Sequence, residues 1–277
     1  MDKYSRTYRL CFTVLFIIAG ALVHHTSYSQ SPFWRSTGGP VGADILALTA
    51  TDDSIVYAGT NGDGVYLSTN SGLSWVRWES GLASTRIWSL TNNRSGAVFA
   101  GAYTGGVVYR STDNGVTWTS SLSLTADDGI YSLAANSFGN IFAGTGHITD
   151  PKGVYRSTNN GDTWNQVVTG LTNKYVLSLA VSRAGIVYAG TNSTLFRSTN
   201  IGEVWSALSG GLPSSTTYWA LAVDSAGTIL AGTTNGLFRS TDDGLTWINS
   251  NAGLPASSVS SLGVAATGEI LAGTQSN

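Results

Sequence analysis

Charged side chains, thiols and imidazoles are scarce in this 277-residue chain. Lys, Arg, Asp and Glu make up 11% of the residues, and the formal net charge is −2. Globular chains usually carry about 25% charged residues. A near-neutral chain lacks the basic surface that neutralises phosphates, so no nucleic-acid partner is expected. The sequence holds one cysteine and three histidines, which leaves little for thiol catalysis or zinc binding.

The longest apolar run lies near the N-terminus and is short for a membrane span. It covers residues 10–23, follows three basic residues and precedes small polar residues ending at Ser29. A bilayer span needs about 20 apolar residues. The pattern therefore predicts a signal peptide over residues 1–29, cleaved after Ser29. The mature chain, residues 30–277, is expected to be secreted, periplasmic or on the cell surface, without a membrane span.

Cleavage removes the only cysteine, Cys11, and leaves His147 as the only histidine. A cysteine-free chain forms no disulfide, even in an oxidising compartment. No phosphate-binding loop, calcium loop or cluster of histidines is apparent in the remaining sequence. We therefore expect neither a metal site nor a cofactor.

The rest of the chain repeats one unit. An Ala-Gly-Thr string or a near copy recurs at steps of 42, 43, 46, 42 and 41 residues, beginning at Ala58, Ala100, Ala143, Ala189, Ala231 and Ala272. An octamer, Ser-Thr-(Asp/Asn)-x-Gly-x-x-Trp, recurs in phase with it, beginning at Ser68, Ser111, Ser157, Ser198 and Ser240. Repeats of this length are typical of stacked or ring-shaped folds.

Each unit reads as four short strands separated by turns rich in Gly, Asn, Asp and Ser. No window shows a helical period of apolar residues, so no helix is expected in the mature chain. The sequence predicts an all-β fold, a β-propeller of four-stranded antiparallel blades with five full repeats and a partial sixth. The segment around Trp34 aligns with a fourth strand. We expect residues 30–277 to be a fragment, truncated at the C-terminus, of a six- to eight-bladed ring.

The octamer has the composition of a hairpin turn. Its Asp or Asn is expected to accept hydrogen bonds from amides two residues on, its Gly to supply a positive φ, and its Trp to anchor the next strand. It resembles the Asp-box, or BNR, repeat of sialidases, xyloglucanases, the sortilin luminal domain and propellers similar to photosystem II assembly factors. The resemblance covers about 240 residues of this sequence and implies fold rather than activity. The residues that carry it are Asn70, Gly72, Trp75, Asp113, Gly115, Trp118, Asn159, Gly161, Trp164, Asn200, Gly202, Trp205, Asp242, Gly244 and Trp247.

Enzymatic chemistry has few candidates. A sialidase needs an arginine cluster and an Arg-Ile-Pro element, and the latter has no counterpart here. A xyloglucanase-like glycoside hydrolase remains the alternative; inversion needs two carboxylates about 6.5–9.5 Å apart. Asp44, Asp127 and Asp128 are the candidates for that pair. Aspartate is common in loops for purely structural reasons, so we expect a protein without catalytic activity.

Aromatic residues are better candidates for binding. Alignment of the units places six residues at one position of the innermost strand: Leu46, Trp88, Tyr131, Leu177, Trp219 and Ser260. Trp88, Tyr131 and Trp219 are expected to stack on a ligand, with Arg86, Tyr103 and His147 on nearby loops adding contacts. The alternative is that the rings only pack between blades. The predicted function is a protein- or glycan-binding or assembly module, with its partner on one face of the ring.

Overall fold

The computed structural model describes residues 39–40, 42–51, 54–78, 80–147, 149–254, 258–265 and 268–275. The predicted signal peptide and the predicted strand around Trp34 lie outside the described residues. Within these ranges the regular structure consists of strands alone, as expected. None of the described residues forms a helix long and apolar enough to cross a membrane.

Five sheets have four antiparallel strands each, and their spatial order is the chain order. The first contains β1 (Ile45–Ala50), β2 (Val56–Thr60), β3 (Val65–Ser68) and β4 (Val76–Trp78). The second contains β5 (Ile87–Asn92), β6 (Val98–Ala102), β7 (Val107–Ser111) and β8 (Thr119–Ser123). The third contains β9 (Gly129–Ala135), β10 (Ile141–Gly146), β11 (Val154–Ser157) and β12 (Asn165–Gln166).

The fourth sheet contains β13 (Val176–Val181), β14 (Val187–Thr191), β15 (Leu195–Ser198) and β16 (Ser206–Leu208). The fifth contains β17 (Tyr218–Val223), β18 (Ile229–Thr233), β19 (Gly236–Ser240) and β20 (Ile248–Asn249). A sixth sheet pairs β21 (Ser258–Val264) with β22 (Ile270–Gln275). The predicted five full units and one partial unit are thus confirmed.

The second strand of each four-stranded sheet is buried along its whole length. Its apolar side chains point to both faces, as expected for a strand that is covered on both sides. Among the described residues the second to fifth sheets each have a neighbouring sheet on either side. The repeated glycine of this strand permits the close approach of the next sheet. A Cβ at Gly59 would lie 2.8 Å from Cγ2 of Ile87, the first residue of β5.

The hydrophobic core lies between the sheets. Each main cluster of buried side chains draws on two sheets that follow one another in the chain. Tyr57 of the first sheet packs with Trp118 of the second, and Phe142 of the third packs with Trp205 of the fourth. A single sheet could not bury these rings alone, so the sheets are stable only as a stack.

The octamer forms the turn between the third and fourth strands, and we call this turn the box turn. Its serine hydroxyl accepts the glycine amide four residues on at 2.8–2.9 Å. Its Asp or Asn Oδ1 accepts an amide at 2.9 Å. That amide also lies four residues further along the chain. The prediction that the Asp or Asn accepts an amide two residues on was therefore wrong. The residue before the glycine is left-handed in every box turn, as at Ile201 with φ 54°.

The innermost strands β1, β5, β9, β13, β17 and β21 pack in this order, each against the next. All six border one central cavity. Sheets arranged in this way, like blades around an axis, form a β-propeller. The predicted fold class is confirmed.

Candidate functional site

The propeller has two unlike faces. One, the box face, carries the box turns and the hairpins between first and second strands. The other, the loop face, carries the connections from second to third strand and from blade to blade. The main-chain bonds from Asn61 to Asp44 and from Tyr103 to Arg86 hold these connections side by side. Asp44, Asp127, Asp128, Arg86, Tyr103 and His147 all belong to connections or strand ends of the loop face.

Every innermost strand has a β-bulge at the position that the sequence alignment singled out. Strand pairing skips one residue in each blade. The skipped residues are Leu46, Trp88, Tyr131, Leu177, Trp219 and Ser260. Bulges bend a strand locally and redirect a side chain, and they recur beside functional sites.

The six bulge residues all line the central cavity, whose volume is about 470 Å³. The bulge residues give it two tryptophans, one tyrosine, two leucines and one serine. Ser261 and Gln275 also border the cavity, and its other lining residues are apolar. Trp88 and Trp219 remain 36% and 43% exposed, which is unusual for side chains of this size.

A continuous row of side chains, the aromatic ribbon, crosses the loop face over three blades. It consists of Arg86, Tyr103, Trp88, Tyr131 and Tyr175. The rings of Trp88 and Tyr103 stack with centroids 4.4 Å apart, and Tyr131 contacts both. The hydroxyl groups of Tyr131 and Tyr175 share a hydrogen bond of 3.0 Å.

Arg86 is held at one end of the aromatic ribbon. Its Nε donates to Oδ1 of Asn61 at 2.7 Å, and its Cζ lies 5.1 Å from the centroid of the Tyr103 ring. These two contacts fix the plane of an exposed guanidinium beside exposed aromatic surface. The arrangement can bind a chain that alternates polar and apolar groups.

Tyr131 is a partly buried tyrosine of the aromatic ribbon. Burial, together with the hydrogen bond to Tyr175, raises the pKa of Tyr131 far above its usual value. The hydroxyl therefore stays neutral at physiological pH and can donate or accept a hydrogen bond. No group of three or more His, Cys, Asp or Glu side chains in the described ranges could hold a metal ion.

The three aspartates proposed as carboxylate candidates lie in different environments. Asp44 and Asp127 are exposed. Asp128 is only 1% exposed, and its Oδ2 accepts the amide and hydroxyl of Thr125 at 3.0 and 2.7 Å. This places Asp128 as the acceptor that closes a turn and keeps its carboxylate away from a large substrate.

His147 also acts within its own loop. Its Nδ1 accepts the amides of Thr149 and Asp150 at 3.1 and 3.0 Å. The same loop borders a polar pocket that includes Asp150, Asn173 and Lys174. This pocket adjoins the end of the aromatic ribbon, because Lys174 precedes Tyr175.

Sequence reasoning missed Tyr175 and Asn61. Tyr175 lies two residues before the bulge of its blade, at the position that Arg86 occupies in the second blade. Aligning the residues two positions before each bulge would have identified Tyr175 as a candidate. Asn61 has no such signal, because its contact with Arg86 depends on how two loops meet.

Residues 134–270 match the sequence model of a family described as the DUF6242 beta propeller domain. A search of curated proteins finds no match. Both the family model and the architecture thus identify a β-propeller, and neither assigns an activity.

Several solved structures resemble the chain. The extracellular domain of BT4673 from B. thetaiotaomicron shares 19% identity and a TM-score of 0.66, over 86% of this chain and 32% of that chain. A GH74 xyloglucanase from Xanthomonas campestris shares 17% identity and a TM-score of 0.64, over 79% of this chain and 42% of that chain. YCF48, solved bound to D1 peptide, shares 16% identity and a TM-score of 0.56, over 74% of this chain and 66% of that chain. This chain thus spans about a third of the BT4673 domain, and identities this low show the fold alone.

Proposed function

We propose that this chain is an exported, non-catalytic binding module that holds an extended protein or polysaccharide ligand on its loop face. The observation that carries the proposal is the bulge repeated in six blades, which turns one side chain per blade toward the same cavity. The fold fixes this position, and yet its residue changes from blade to blade. Trp88 and Trp219 are the proposed anchors for the ligand, since large exposed rings contribute strongly to binding.

The aromatic ribbon supports a polypeptide ligand more than a polysaccharide. Sugars stack on free ring faces, whereas Trp88 and Tyr103 cover one face of each other. The Nη atoms of Arg86 have no acceptor among the described residues and lie beside these rings, and the cavity suits one inserted side chain. YCF48, which has the same fold, was solved with a peptide.

Binding can be tested with a phage-displayed dodecapeptide library and with xyloglucan, both offered to the intact protein. Affinities of the retained probe are then compared for the wild type, Trp88→Ala, Trp219→Ala and Phe138→Ala. Phe138 is 70% exposed on the box face and serves as the matched control. We expect a loss of about tenfold or more at each tryptophan and none at Phe138. Retention of no probe, or an equal loss in all three variants, would refute the proposal.

The glycoside hydrolase reading makes a different prediction. If the protein is a glycoside hydrolase, it cleaves xyloglucan, and the Asp44→Asn or Asp127→Asn variant loses this activity. The burial of Asp128 weakens this reading, and the fold of the GH74 enzyme favours it only at the level of architecture. Release of reducing ends that depends on these aspartates would overturn the non-catalytic assignment.

The proposed export rests on the leader-like residues 1–29. N-terminal sequencing of the protein recovered from outside the cytoplasm should begin at Gln30. An intact Met1 on the protein, or a product confined to the cytoplasm, would contradict it.

A further inference from the structure

Three arginines link neighbouring blades on the box face. Each immediately precedes the serine of its own box turn. Each donates from Nη1 to the carbonyl oxygen of the left-handed residue in the next box turn. The pairs are Arg110 with Asn160 at 2.6 Å, Arg156 with Ile201 at 2.8 Å, and Arg197 with Asp243 at 2.9 Å.

A second contact accompanies the box turn at three blade junctions. The amide of the box tryptophan donates to a carbonyl in the preceding blade. The pairs are Trp118 with Ser80 at 2.9 Å, Trp205 with Thr169 at 2.8 Å, and Trp247 with Gly210 at 2.7 Å. A glycine with positive φ follows each acceptor, because a Cβ there would collide with the tryptophan carbonyl. These glycines are Gly81, Gly170 and Gly211.

The fifth blade has the groups that make both contacts, but no described residue binds to them. Arg239 precedes the fifth box serine and is exposed, and it has no hydrogen-bond acceptor among the described residues. Gly253 follows Ala252 in the corresponding connection. It has φ +85°, and nothing lies within 4 Å of a Cβ built on it. The conformation of this corner matches the three occupied corners, although no described residue docks there.

The neighbouring strand β22 lacks a partner along its outer edge in the described structure. Ile270 is 41% exposed, whereas its counterpart Ile229 in the fifth blade is fully buried. An uncovered edge with apolar side chains is a site for strand pairing.

We propose that Arg239, the Ala252–Gly253 corner and the outer edge of β22 form a docking surface for a β-hairpin that carries a box turn. The first strand of this hairpin pairs with β22. The carbonyl of its left-handed residue accepts Arg239, and the amide of its tryptophan donates to the Ala252 carbonyl. The surface thus selects a polypeptide with the sequence Ser-Thr-(Asp/Asn)-x-Gly-x-x-Trp between two strands. Both contacts occur together between the third and fourth blades and between the fourth and fifth.

The test supplies such a hairpin. A copy of residues 236–250, which form the fifth box hairpin, is placed after Ser276. Alignment of Ile270 with Ile229 then puts Gln275 and Ser276 in the places of Thr234 and Asn235, which separate β18 from β19. Urea unfolding is measured for the chain with and without the added hairpin, each as wild type, Arg239→Ala and Arg197→Ala. Arg197 is the matched control, because its contact is already occupied.

We expect the added hairpin to raise the urea midpoint. Arg239→Ala should change nothing in the original chain. In the extended chain it should lower the folded-to-unfolded ratio by about tenfold, as for the loss of a hydrogen bond to a charged donor. Arg197→Ala should lower this ratio by the same factor in both chains. An Arg239 effect that is equal with and without the hairpin would overturn the proposal.

Amide hydrogen exchange gives a second readout that does not need the extended chain to fold. The 236–250 peptide is added to the intact protein, and the amides of β22 are followed. Slower exchange that Arg239→Ala abolishes supports the docking surface. Unchanged exchange overturns it, as does concentration-dependent dimerisation that protects β22 and resists the peptide, since a second copy would then be the occupant.

Discussion

Gly170 offers a direct test of how neighbouring blades are joined. Its φ is +83°, and a Cβ there would collide with the carbonyl oxygen of Trp205. Trp205 is 2% exposed, and its amide donates to Thr169 at 2.8 Å. Gly139 is the matched control, because it has φ +88° but nothing within 4 Å of its Cβ position. Substitution to Ala strains the backbone at both positions but displaces a neighbour at only one.

The expected magnitudes differ for this reason. A left-handed alanine costs about 1–2 kcal/mol at either position. At Gly170 the loss of the Trp205 amide bond adds about 1 kcal/mol, and the forced movement of a buried ring adds about 1–3 kcal/mol. We therefore expect Gly139→Ala to lower the free energy of unfolding by about 1–2 kcal/mol, and Gly170→Ala by about 3–6 kcal/mol.

Urea unfolding followed by tryptophan fluorescence and by far-ultraviolet circular dichroism measures both variants. Fluorescence reports all nine tryptophans, five of which belong to the box octamers, and circular dichroism reports the sheets. If both alanine variants lose the same free energy within about 1 kcal/mol, the close contact between Gly170 and Trp205 does not hold the blades together. The argument from the open corner at Gly253 would then fail as well.

Three further substitutions probe single contacts. Asp242→Asn should leave stability at pH 7 unchanged, because Asn fills this position in three other box turns. Hydrogen bonds from Thr246 lower the pKa of Asp242 to about 2. The ionised carboxylate therefore stabilises the folded protein above the unfolded-state pKa of about 3.8, and this stabilisation is lost as the pH falls toward 2. The stabilities of wild type and variant, measured against pH, should diverge only below about pH 4. Ser198→Ala should cost about 1–3 kcal/mol in urea unfolding, because the buried amide of Gly202 loses its acceptor. Tyr131→Phe should cost about 0.5–1.5 kcal/mol through the lost bond to the Tyr175 hydroxyl, and a cost of zero would show that the bond contributes nothing.

The sequence predicts the fold well because the repeat is carried by short-range contacts. Serine, Asp or Asn and glycine close the box turn within five residues, so their spacing is visible in the chain. The backbone conformation inside that turn was harder to predict. Its left-handed residue is Ser, Asn, Ile or Asp in different blades, and a β-branched residue such as Ile201 is not expected there. Tertiary packing, rather than local preference, sets its conformation.

The candidate site was only partly predictable, because it depends on which loops meet. Alignment of the units finds the bulge position, yet the bulge itself leaves no mark on the alternation of apolar residues. Burial of Asp128 is equally hidden, since a loop aspartate is usually exposed. The contact between Arg86 and Asn61 joins two blades, and no spacing in the sequence encodes it.

Stability and recognition are divided between the two faces. The box face repeats the same residues because the arginine contact recurs at three junctions and the tryptophan contact at three, so a change there strains two blades at once. At each bulge, the residues before and after it along the strand pair with the second strand of the sheet. The backbone is therefore held in place, and Leu, Trp, Tyr and Ser are all accommodated at this position. A substitution such as Trp219→Ala, at a bulge residue that is 43% exposed, should therefore alter binding without destabilising the propeller. Substitutions such as Ser198→Ala should do the reverse, and a shared effect on both properties would contradict this division.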